Sequence, residues 1–278
     1  MLADLNDVLL PARMNAYGVG LFNTVNMEMA RGVLAAAERV GTPVIVGTAE
    51  VLLPACPLEE LSYLLIPMAK RASVPVVVHY DHGLTYDKCV EALRLGFSSV
   101  MYDCSMDSYE ENVRKVRDMT ALAHAFGATV EAELGHVGDN EGAGRLDDPT
   151  AYYTDPAQAK DFTERTGVDA LAVAVGSAHG AYKLPPKLDF DRIRTILDTV
   201  PVPLVLHGGS GLTEEDFRRA IRCGISKINI FTDINLAQAR GAQKALAEGK
   251  LAATDISPYR VEAVREETEK KMRLFFRP

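Results

Sequence analysis

The sequence has no excess of basic residues and no long apolar run. Of its 278 residues, 30 are Lys or Arg and 38 are Asp or Glu, which gives a formal net charge of −8. A nucleic-acid-binding face is usually basic, so this balance disfavours a nucleic-acid partner. No apolar run approaches the roughly 20 residues that a membrane-spanning helix needs. We therefore expect a protein that binds neither nucleic acid nor a membrane.

Cysteine is also scarce, and no targeting segment is evident. The four cysteines, Cys56, Cys89, Cys104 and Cys223, are scattered and form no CxxC pair. This usage is typical of reduced thiols in a cytosolic protein. Residues 1–7 lack the basic-then-apolar order of a secretory signal. Both observations predict a cytoplasmic location.

What the sequence does contain is an alternation of short apolar strands with helical patterns. The predicted strands span residues 17–22, 44–47, 76–80, 99–103, 129–133, 169–175, 204–206 and 227–230. Eight strand–helix units at this chain length predict an α/β fold, a single (β/α)8 TIM barrel over residues 1–278. The main alternative is a doubly wound open sheet. A charged amphipathic helix over residues 258–276 follows the eighth unit and could pack on the barrel or against a partner subunit.

One connection is unusually long. Residues 135–155 hold no convincing regular element and include Gly138, Gly142 and Gly144. Loops of this length in compact domains are usually functional lids or disordered segments. We therefore expect one or the other here.

Three of the six histidines follow predicted strands. His82, His179 and His207 each come at or just after a strand end, and each precedes a glycine. The active sites of (β/α)8 barrels lie at the carboxyl ends of the strands. Three imidazoles with an open fourth position form the ligand set of a catalytic zinc ion. A single such histidine is as readily a hydrogen-bonded core residue, but three of them favour a metal site.

The other histidines are interpreted differently. His79 lies two residues before Asp81, so both side chains point to the same side of the strand, and His79 could support the site. His124 falls within a predicted helix and is expected to be structural. His136, at the start of the long loop, is left open.

A small-residue segment follows His207. Gly208, Gly209 and Ser210 can bring backbone N–H groups close to an anion because their side chains are absent or small. Thr213, with Asp216 three residues later, predicts the cap of the next helix.

Six motifs together resemble those of the class II, metal-dependent ketose-bisphosphate aldolases. This family includes fructose- and tagatose-bisphosphate aldolases and relatives that act on other ketose 1-phosphates. The resemblance covers essentially the whole chain, whose length is closer to the tagatose-bisphosphate and ketose-1-phosphate branch. The motifs are His79-Tyr80-Asp81-His82, Glu131-Ala132-Glu133-Leu134-Gly135, Tyr153-Thr154-Asp155-Pro156, Ala178-His179-Gly180, Leu206-His207-Gly208-Gly209-Ser210 and Lys227-Ile228-Asn229-Ile230-Phe231-Thr232.

The resemblance implies a zinc-dependent, reversible aldol cleavage that yields dihydroxyacetone phosphate and an aldehyde. His82, His179 and His207 would bind Zn²⁺, for which Co²⁺ could substitute, and a monovalent cation is a further cofactor that the family allows. The metal would chelate oxygens of dihydroxyacetone phosphate and stabilise its enediolate.

The same resemblance implies roles for other side chains. Asp81 would exchange a proton with the C4 oxygen, Glu141 on the long loop would take a proton from dihydroxyacetone phosphate, and Asn229 would hydrogen-bond the enediolate. Asp103 and Glu133 would support the metal ligands or bind the metal in an alternate position. The phosphate and substrate contacts would come from Gly180, Lys183, Gly208, Gly209, Ser210, Asn229, Ile230, Phe231, Thr232 and Thr48.

Two departures from the family pattern leave the substrate open. Phe231 stands where relatives usually have a small or acidic residue. The family takes a second-phosphate arginine from a neighbouring subunit, whereas here the corresponding Arg260 is displaced by one position. The substrate could be a ketose 1,6-bisphosphate or a ketose 1-phosphate. A homodimer or homotetramer is expected, and a metal-dependent hydrolase or a non-catalytic sugar-phosphate-binding barrel are the alternatives.

Overall fold

The strands form a closed parallel barrel. The computed structural model describes residues 1–137, 152–180 and 186–276. Its strands are β1 (Leu2–Ala3), β2 (Val19–Asn23), β3 (Val44–Ala49), β4 (Val76–Gly83), β5 (Ser99–Tyr102), β6 (Thr129–Leu134), β7 (Ala170–Val173), β8 (Leu204–Leu206) and β9 (Ile225–Ile230). Strands β2 to β9 pair in sequence order, and β9 pairs with β2. This closure confirms the (β/α)8 barrel and excludes the open sheet.

The helices lie between the strands and around the barrel. They are α1 (Leu5–Asn15), α2 (Met27–Val40), α3 (Leu58–Arg71), α4 (Tyr86–Leu95), α5 (Tyr109–Ala125), α6 (Pro156–Thr166), α7 (Phe190–Thr199), α8 (Glu214–Arg222), α9 (Thr232–Ala247) and α10 (Ala253–Phe276), with a 3-10 turn at Glu50–Leu52. The predicted cap of α8 is confirmed, because Thr213 and Asp216 form a reciprocal capping box. Within the described residues, no helix is both long and apolar enough to cross a membrane.

The amino-terminal end of the barrel is closed by two elements that the sequence did not reveal. Strand β1 pairs with the start of β4, where Leu2 lies opposite Val76. Helix α1 then packs its apolar face into the end of the barrel. The cluster joins Leu5, Val8, Leu9 and Ala12 of the helix to Leu21, Ile45, Val77 and Val205 of the strands. Since this end is filled, the opposite end is the one left for a cavity.

Helix α10 packs on the outside of the same barrel, against α2 and α9. It begins five residues before the predicted start, with Pro258 inside it. The close approach depends on glycine. A Cβ at Gly32 of α2 would lie 2.7 Å from Val264, and one at Gly241 of α9 would lie 2.5 Å from the Tyr259 carbonyl oxygen. The carboxyl-terminal helix is therefore part of the fold of this chain.

Candidate active site

A cavity of about 910 Å³ opens at the carboxyl ends of the strands. Its lining includes Asn23 of β2, Asp81 and His82 of β4, and Asn229 of β9. The loops after β7 and β8 add His179 and Gly208. Residues distant in sequence thus meet because parallel strands of a barrel all end on the same face.

A bulge in β4 brings two consecutive side chains into this cavity. Successive side chains of a regular strand point to opposite faces, so Asp81 and His82 would normally diverge. The pairing of β4 with β5 shifts register between Tyr80 and Gly83, and His82 has a φ of 43°. A non-glycine residue in this left-handed region is strained, and such strain is concentrated at functional sites. The bulge allows both side chains to line the cavity.

Three imidazoles converge beside Asp81. Ligand-capable atoms of His82, His179 and His207 lie within 4.8 Å of one another. The ring centroid of His82 is 4.8 Å from that of His179 and 4.4 Å from that of His207. His207 itself is fully buried beneath the cavity. This spacing is compatible with one shared metal ion.

Two of the three imidazole rings each have one nitrogen in contact with a carboxylate. His82 Nδ1 lies 2.7 Å from Asp103 Oδ2, and His207 Nε2 lies 2.8 Å from Glu131 Oε1. His82 Nε2 is buried and makes no hydrogen bond, whereas the remaining nitrogen of His207, Nδ1, lies 3.2 Å from Glu133 Oε2. Metal-ligating histidines commonly use one nitrogen for the metal and the other for a carboxylate. Because an unsatisfied buried nitrogen is costly, the donor set fits a bound divalent metal.

The imidazoles differ in proton affinity. Burial and the neighbouring charges of His82 and His207 lower the pKa of His179 to about 3, so this ring is neutral and ready to bind a metal. Burial also lowers the pKa of His207, but hydrogen bonds with Glu131 and Glu133 outweigh it and raise the pKa to about 10. A metal that binds His207 must therefore displace a proton.

Asp81 is an oriented, buried carboxylate. It accepts a hydrogen bond of 2.8 Å from Asn23 Nδ2, and Asn229 Nδ2 donates to its two oxygens at 3.0 and 3.2 Å. Burial raises the pKa of Asp81, but the positive charges of His82 and Lys227 lower it further, so the net shift is downward. Asp81 is therefore ionised and can accept a proton.

The loop after β8 and the start of α9 form an anion-compatible wall. Gly208 has a φ of 68°, and a Cβ there would lie 2.3 Å from the Ala178 carbonyl oxygen, so only glycine fits. Ser210 Oγ accepts hydrogen bonds from the backbone N–H groups of Phe231 and Asp233. Helix α9 begins at Thr232, and its amino-terminal dipole favours a negative charge at the cavity. The cavity is also lined by Gly180, Gly209, Ser210, Ile230, Phe231 and Thr232.

The structure also separates residues that the sequence grouped. Thr48 is fully buried, and the cavity is lined instead by its neighbour Ala49. Strand β3 continues to Ala49, so alternation places the Thr48 side chain on the face opposite that of Ala49. A substrate contact of Thr48 stays a prediction. Glu141 and Lys183 lie outside the described residues.

Asp103 and Glu133 lie beside the histidine cluster. Asp103 contacts His82 directly, and Glu133 Oε2 lies 3.2 Å from His207 Nδ1. Ligand-capable atoms of His82, Asp103 and Glu133 also fall within 4.8 Å of one another, which is compatible with an alternate metal position. His124 lies away from the cavity, where its Nε2 is 2.9 Å from Asp169. His136, left open above, lines the cavity.

Two charged residues of the site received no role from the sequence. Glu131 and Lys227 are fully buried and form an ion pair of 2.7 Å. Each lies two residues before another polar site residue, Glu133 and Asn229, and therefore on the same face of its strand. That alternation was the available signal. The alternation does not reveal that Glu131 of β6 and Lys227 of β9 contact each other across the barrel.

The fold and this site define a (β/α)8-barrel protein whose three-histidine cluster could hold a metal ion. A sequence profile of the family described as "Fructose-bisphosphate aldolase class-II" matches residues 3–277. The chain belongs to this family and is a class II aldolase, a metal-dependent lyase.

Individual relatives agree with the family assignment. A fructose-bisphosphate aldolase of Thermus caldophilus is 40% identical over 295 residues, covering 97% of this chain and 96% of the relative. A fructose-bisphosphate aldolase of Staphylococcus aureus is 38% identical over 258 residues, covering 90% of this chain and 87% of the relative. The crystal structure of the YdjI aldolase from Escherichia coli K12 superposes with a TM-score of 0.89 at 36% identity, covering 99% and 97% of the two chains.

Proposed function

We propose that this aldolase reversibly cleaves a ketose 1-phosphate or ketose 1,6-bisphosphate to dihydroxyacetone phosphate and an aldehyde. One observation carries the proposal. The three-imidazole cluster lies beside the ionised Asp81, in a cavity that also contains the amino-terminal end of α9. The site therefore combines a metal-ligand set, a proton acceptor and an anion-compatible wall. Membership of a lyase family favours this reaction over metal-dependent hydrolysis and over binding without catalysis.

We assign the metal to His82, His179 and His207, with Zn²⁺ as the resident ion. When bound, Zn²⁺ would act as a Lewis acid that polarises substrate oxygens. The buried His82 Nε2, which makes no hydrogen bond, and the convergence of the three rings support this assignment. Asp103 and Glu131 hold the other nitrogens of those two rings, which fixes the ring orientations. A monovalent cation and substitution by Co²⁺ remain part of the proposal.

Proton transfer is assigned to two carboxylates. Asp81 takes the proton of the C4 hydroxyl in cleavage and returns it in condensation. Its lowered pKa and its two amide partners support this role, because they keep the carboxylate charged and aimed. Glu141, outside the described residues, is proposed as the base that acts on dihydroxyacetone phosphate. Asn229 lines the cavity and is proposed to hydrogen-bond the three-carbon product while it orients Asp81.

The phosphate is assigned to the wall formed by the loop after β8 and the start of α9. Backbone N–H groups at a helix start bind anions without requiring a basic surface, which is how a protein of net charge −8 could hold one. The proposed contacts are Gly180, Gly208, Gly209, Ser210, Asn229, Ile230, Phe231 and Thr232, with Lys183 outside the described residues. A homodimer or homotetramer and a cytoplasmic location complete the proposal.

Metal removal combined with a substrate panel tests this function. Enzyme treated with a chelator should lose carbon–carbon cleavage and regain it with Zn²⁺ or Co²⁺. The panel of ketose 1-phosphates and 1,6-bisphosphates then ranks substrates by kcat/KM. Full activity in verified metal-free enzyme, or a substrate trapped as a lysine Schiff base, would contradict the proposal.

A further inference from the structure

A fully buried lysine lies beneath the cavity. Lys227 is in β9 and its side chain is 0% exposed. Lysine is almost never fully buried unless it is paired, because desolvating an ammonium group is expensive. The contacts that compensate this cost show what the residue can do.

Its ammonium group contacts two acceptors from different strands. Lys227 Nζ lies 2.7 Å from Glu131 Oε2 of β6 and donates to Asn229 Oδ1 of β9, also at 2.7 Å. The contact with Glu131 is a close ion pair, and the contact with Asn229 has the length of a strong charge-assisted hydrogen bond. One cation therefore links two sides of the site.

The first contact continues to a proposed metal ligand. The other carboxylate oxygen of Glu131, Oε1, lies 2.8 Å from His207 Nε2. Glu131 thus bridges Lys227 and His207. Because Glu131 engages Nε2, the nitrogen through which His207 would bind a metal is Nδ1, which lies 3.2 Å from Glu133 Oε2.

The second contact continues to the proposed proton acceptor. Because Asn229 Oδ1 accepts from the ammonium group, its Nδ2 must face the other way, and it donates to Asp81. The opposite amide orientation would put Nδ2 against a cation and Oδ1 against a carboxylate. Lys227 therefore selects the orientation in which Asn229 stabilises Asp81 as an anion.

We propose that Lys227 is a positioning residue for both the proposed metal ligand His207 and the proposed proton acceptor Asp81. Through Glu131 it fixes the ring and the metal-binding nitrogen of His207, and through Asn229 it fixes the Asp81 carboxylate. The link to Asp81 rests on the proposed function, whereas the link to His207 concerns metal binding alone. The alternative is a buried ion pair that only stabilises the barrel.

Replacement of the lysine tests this directly. Lys227→Met keeps an unbranched side chain but removes the charge and the donors. We expect zinc affinity, measured by chelator competition, to fall by roughly 10- to 100-fold, the usual cost of losing a residue that supports a metal ligand. With saturating zinc, kcat should still fall while KM changes little, because Asp81 is no longer held in place.

A double variant separates positioning from stability. Lys227→Met leaves the Glu131 charge without its partner, and such a loss is strongly destabilising. Lys227→Met with Glu131→Gln removes both charges, so the melting temperature should recover much of the loss. Zinc affinity and kcat should stay low in the double variant, because the anion that holds His207 and the cation that holds Asn229 are both gone.

A matched control comes from the other end of the barrel. Arg13 of α1 is a partly buried cation that donates to the carbonyl oxygens of Leu197, Val200 and Val202. Arg13→Met should lower the melting temperature without changing zinc affinity or kcat.

The outcomes are distinct. Wild-type zinc affinity in Lys227→Met, or recovery of wild-type zinc affinity and kcat in the double variant, overturns the proposal in favour of a structural ion pair. If Lys227→Met does not fold, the charge-neutral double variant carries the comparison. If the wild-type enzyme cleaves no ketose phosphate, the proposed function is wrong, and zinc affinity still decides the effect of Lys227 on His207.

Discussion

The two ends of the barrel are built from the same strands, but different interactions hold them together. Strand β8 illustrates this. Val205 packs into the apolar cluster closed by α1, whereas His207, two residues later on the same face, is bound by Glu131. At the amino-terminal end apolar groups fill space. At the carboxyl-terminal end imidazoles, amides and carboxylates contact one another, and His82 Nε2 is left without a hydrogen bond.

The two ends of the barrel should respond differently to substitution. Changes at the amino-terminal end should alter stability and leave the chemistry intact. Changes at the carboxyl-terminal end should alter metal binding or turnover by far more than their effect on folding. The following variants test that division.

The largest effect is expected from the imidazole cluster. Each alanine variant of a proposed metal ligand, His82→Ala, His179→Ala or His207→Ala, should lose the metal and nearly all cleavage activity. This loss should exceed the roughly 10- to 100-fold decrease that is typical when a residue supporting a metal ligand is replaced. Elemental analysis of purified protein measures the metal content. His124→Ala is the control, because His124 is 46% exposed and bound to Asp169 near α1. Metal loss in His124→Ala would refute the assignment of the metal to the histidines at the strand ends.

The next effect concerns Asp81. Asp81→Ala should depress carbon–carbon cleavage by about 10²- to 10⁴-fold, the usual cost of losing a general base. It should spare exchange of the C3 proton of dihydroxyacetone phosphate, because that step needs the metal and the other base. Deuterium incorporation followed by NMR measures the exchange.

Glu141→Ala is the matched comparison for Asp81→Ala. As the proposed base for the C3 proton, Glu141 should be required for exchange and cleavage alike, so both rates should fall together. If Glu141→Ala exchanges at the wild-type rate, the base lies elsewhere. If Asp81→Ala abolishes exchange as well, the two steps do not divide between these carboxylates.

The sequence predicted the barrel and the histidine cluster because both depend on local signals. Strand–helix alternation and a histidine before a glycine can each be identified within a few residues. Features that depend on distant contacts were missed. The bulge at His82 arises where β4 meets β5, and the partner of Lys227 is on β6. Alternation alone would have turned His82 away from Asp81.

The amino-terminal end was missed for a related reason. Strand β1 has two residues, too few for any periodicity, and it forms only because the start of β4 is available beside it. Helix α1 contains Pro11, which a sequence pattern counts against a helix. Strand β1 and helix α1 depend on their contacts with the end of the barrel, so their sequences alone give little indication of their secondary structure.

A core variant at the amino-terminal end tests the other half of the comparison. Leu9 of α1 is fully buried in the apolar cluster. Leu9→Ala should reduce the free energy of unfolding by about 2–5 kcal/mol through lost transfer energy and a cavity. Leu10→Ala, at a 42% exposed position on the same helix, should have a much smaller effect. Denaturant titration measures both, and kcat per folded molecule should match the wild type in each. A loss of kcat in Leu9→Ala would mean that the two ends are coupled.

The smallest effect is expected at Thr48. Its hydroxyl is buried and makes no hydrogen bond, and strand alternation places its side chain on the face opposite that of Ala49, which lines the cavity. Thr48→Val keeps the branched shape and removes an unsatisfied polar group, so the free energy of unfolding should stay the same or rise slightly. KM should not change. Thr232→Val is the contrast, because Thr232 lines the cavity at the start of α9. This variant should raise KM if the Thr232 hydroxyl binds phosphate. Steady-state kinetics measure KM for both variants. A raised KM in Thr48→Val would mean that β3 ends earlier when substrate is bound and turns this hydroxyl inward, as the sequence first indicated.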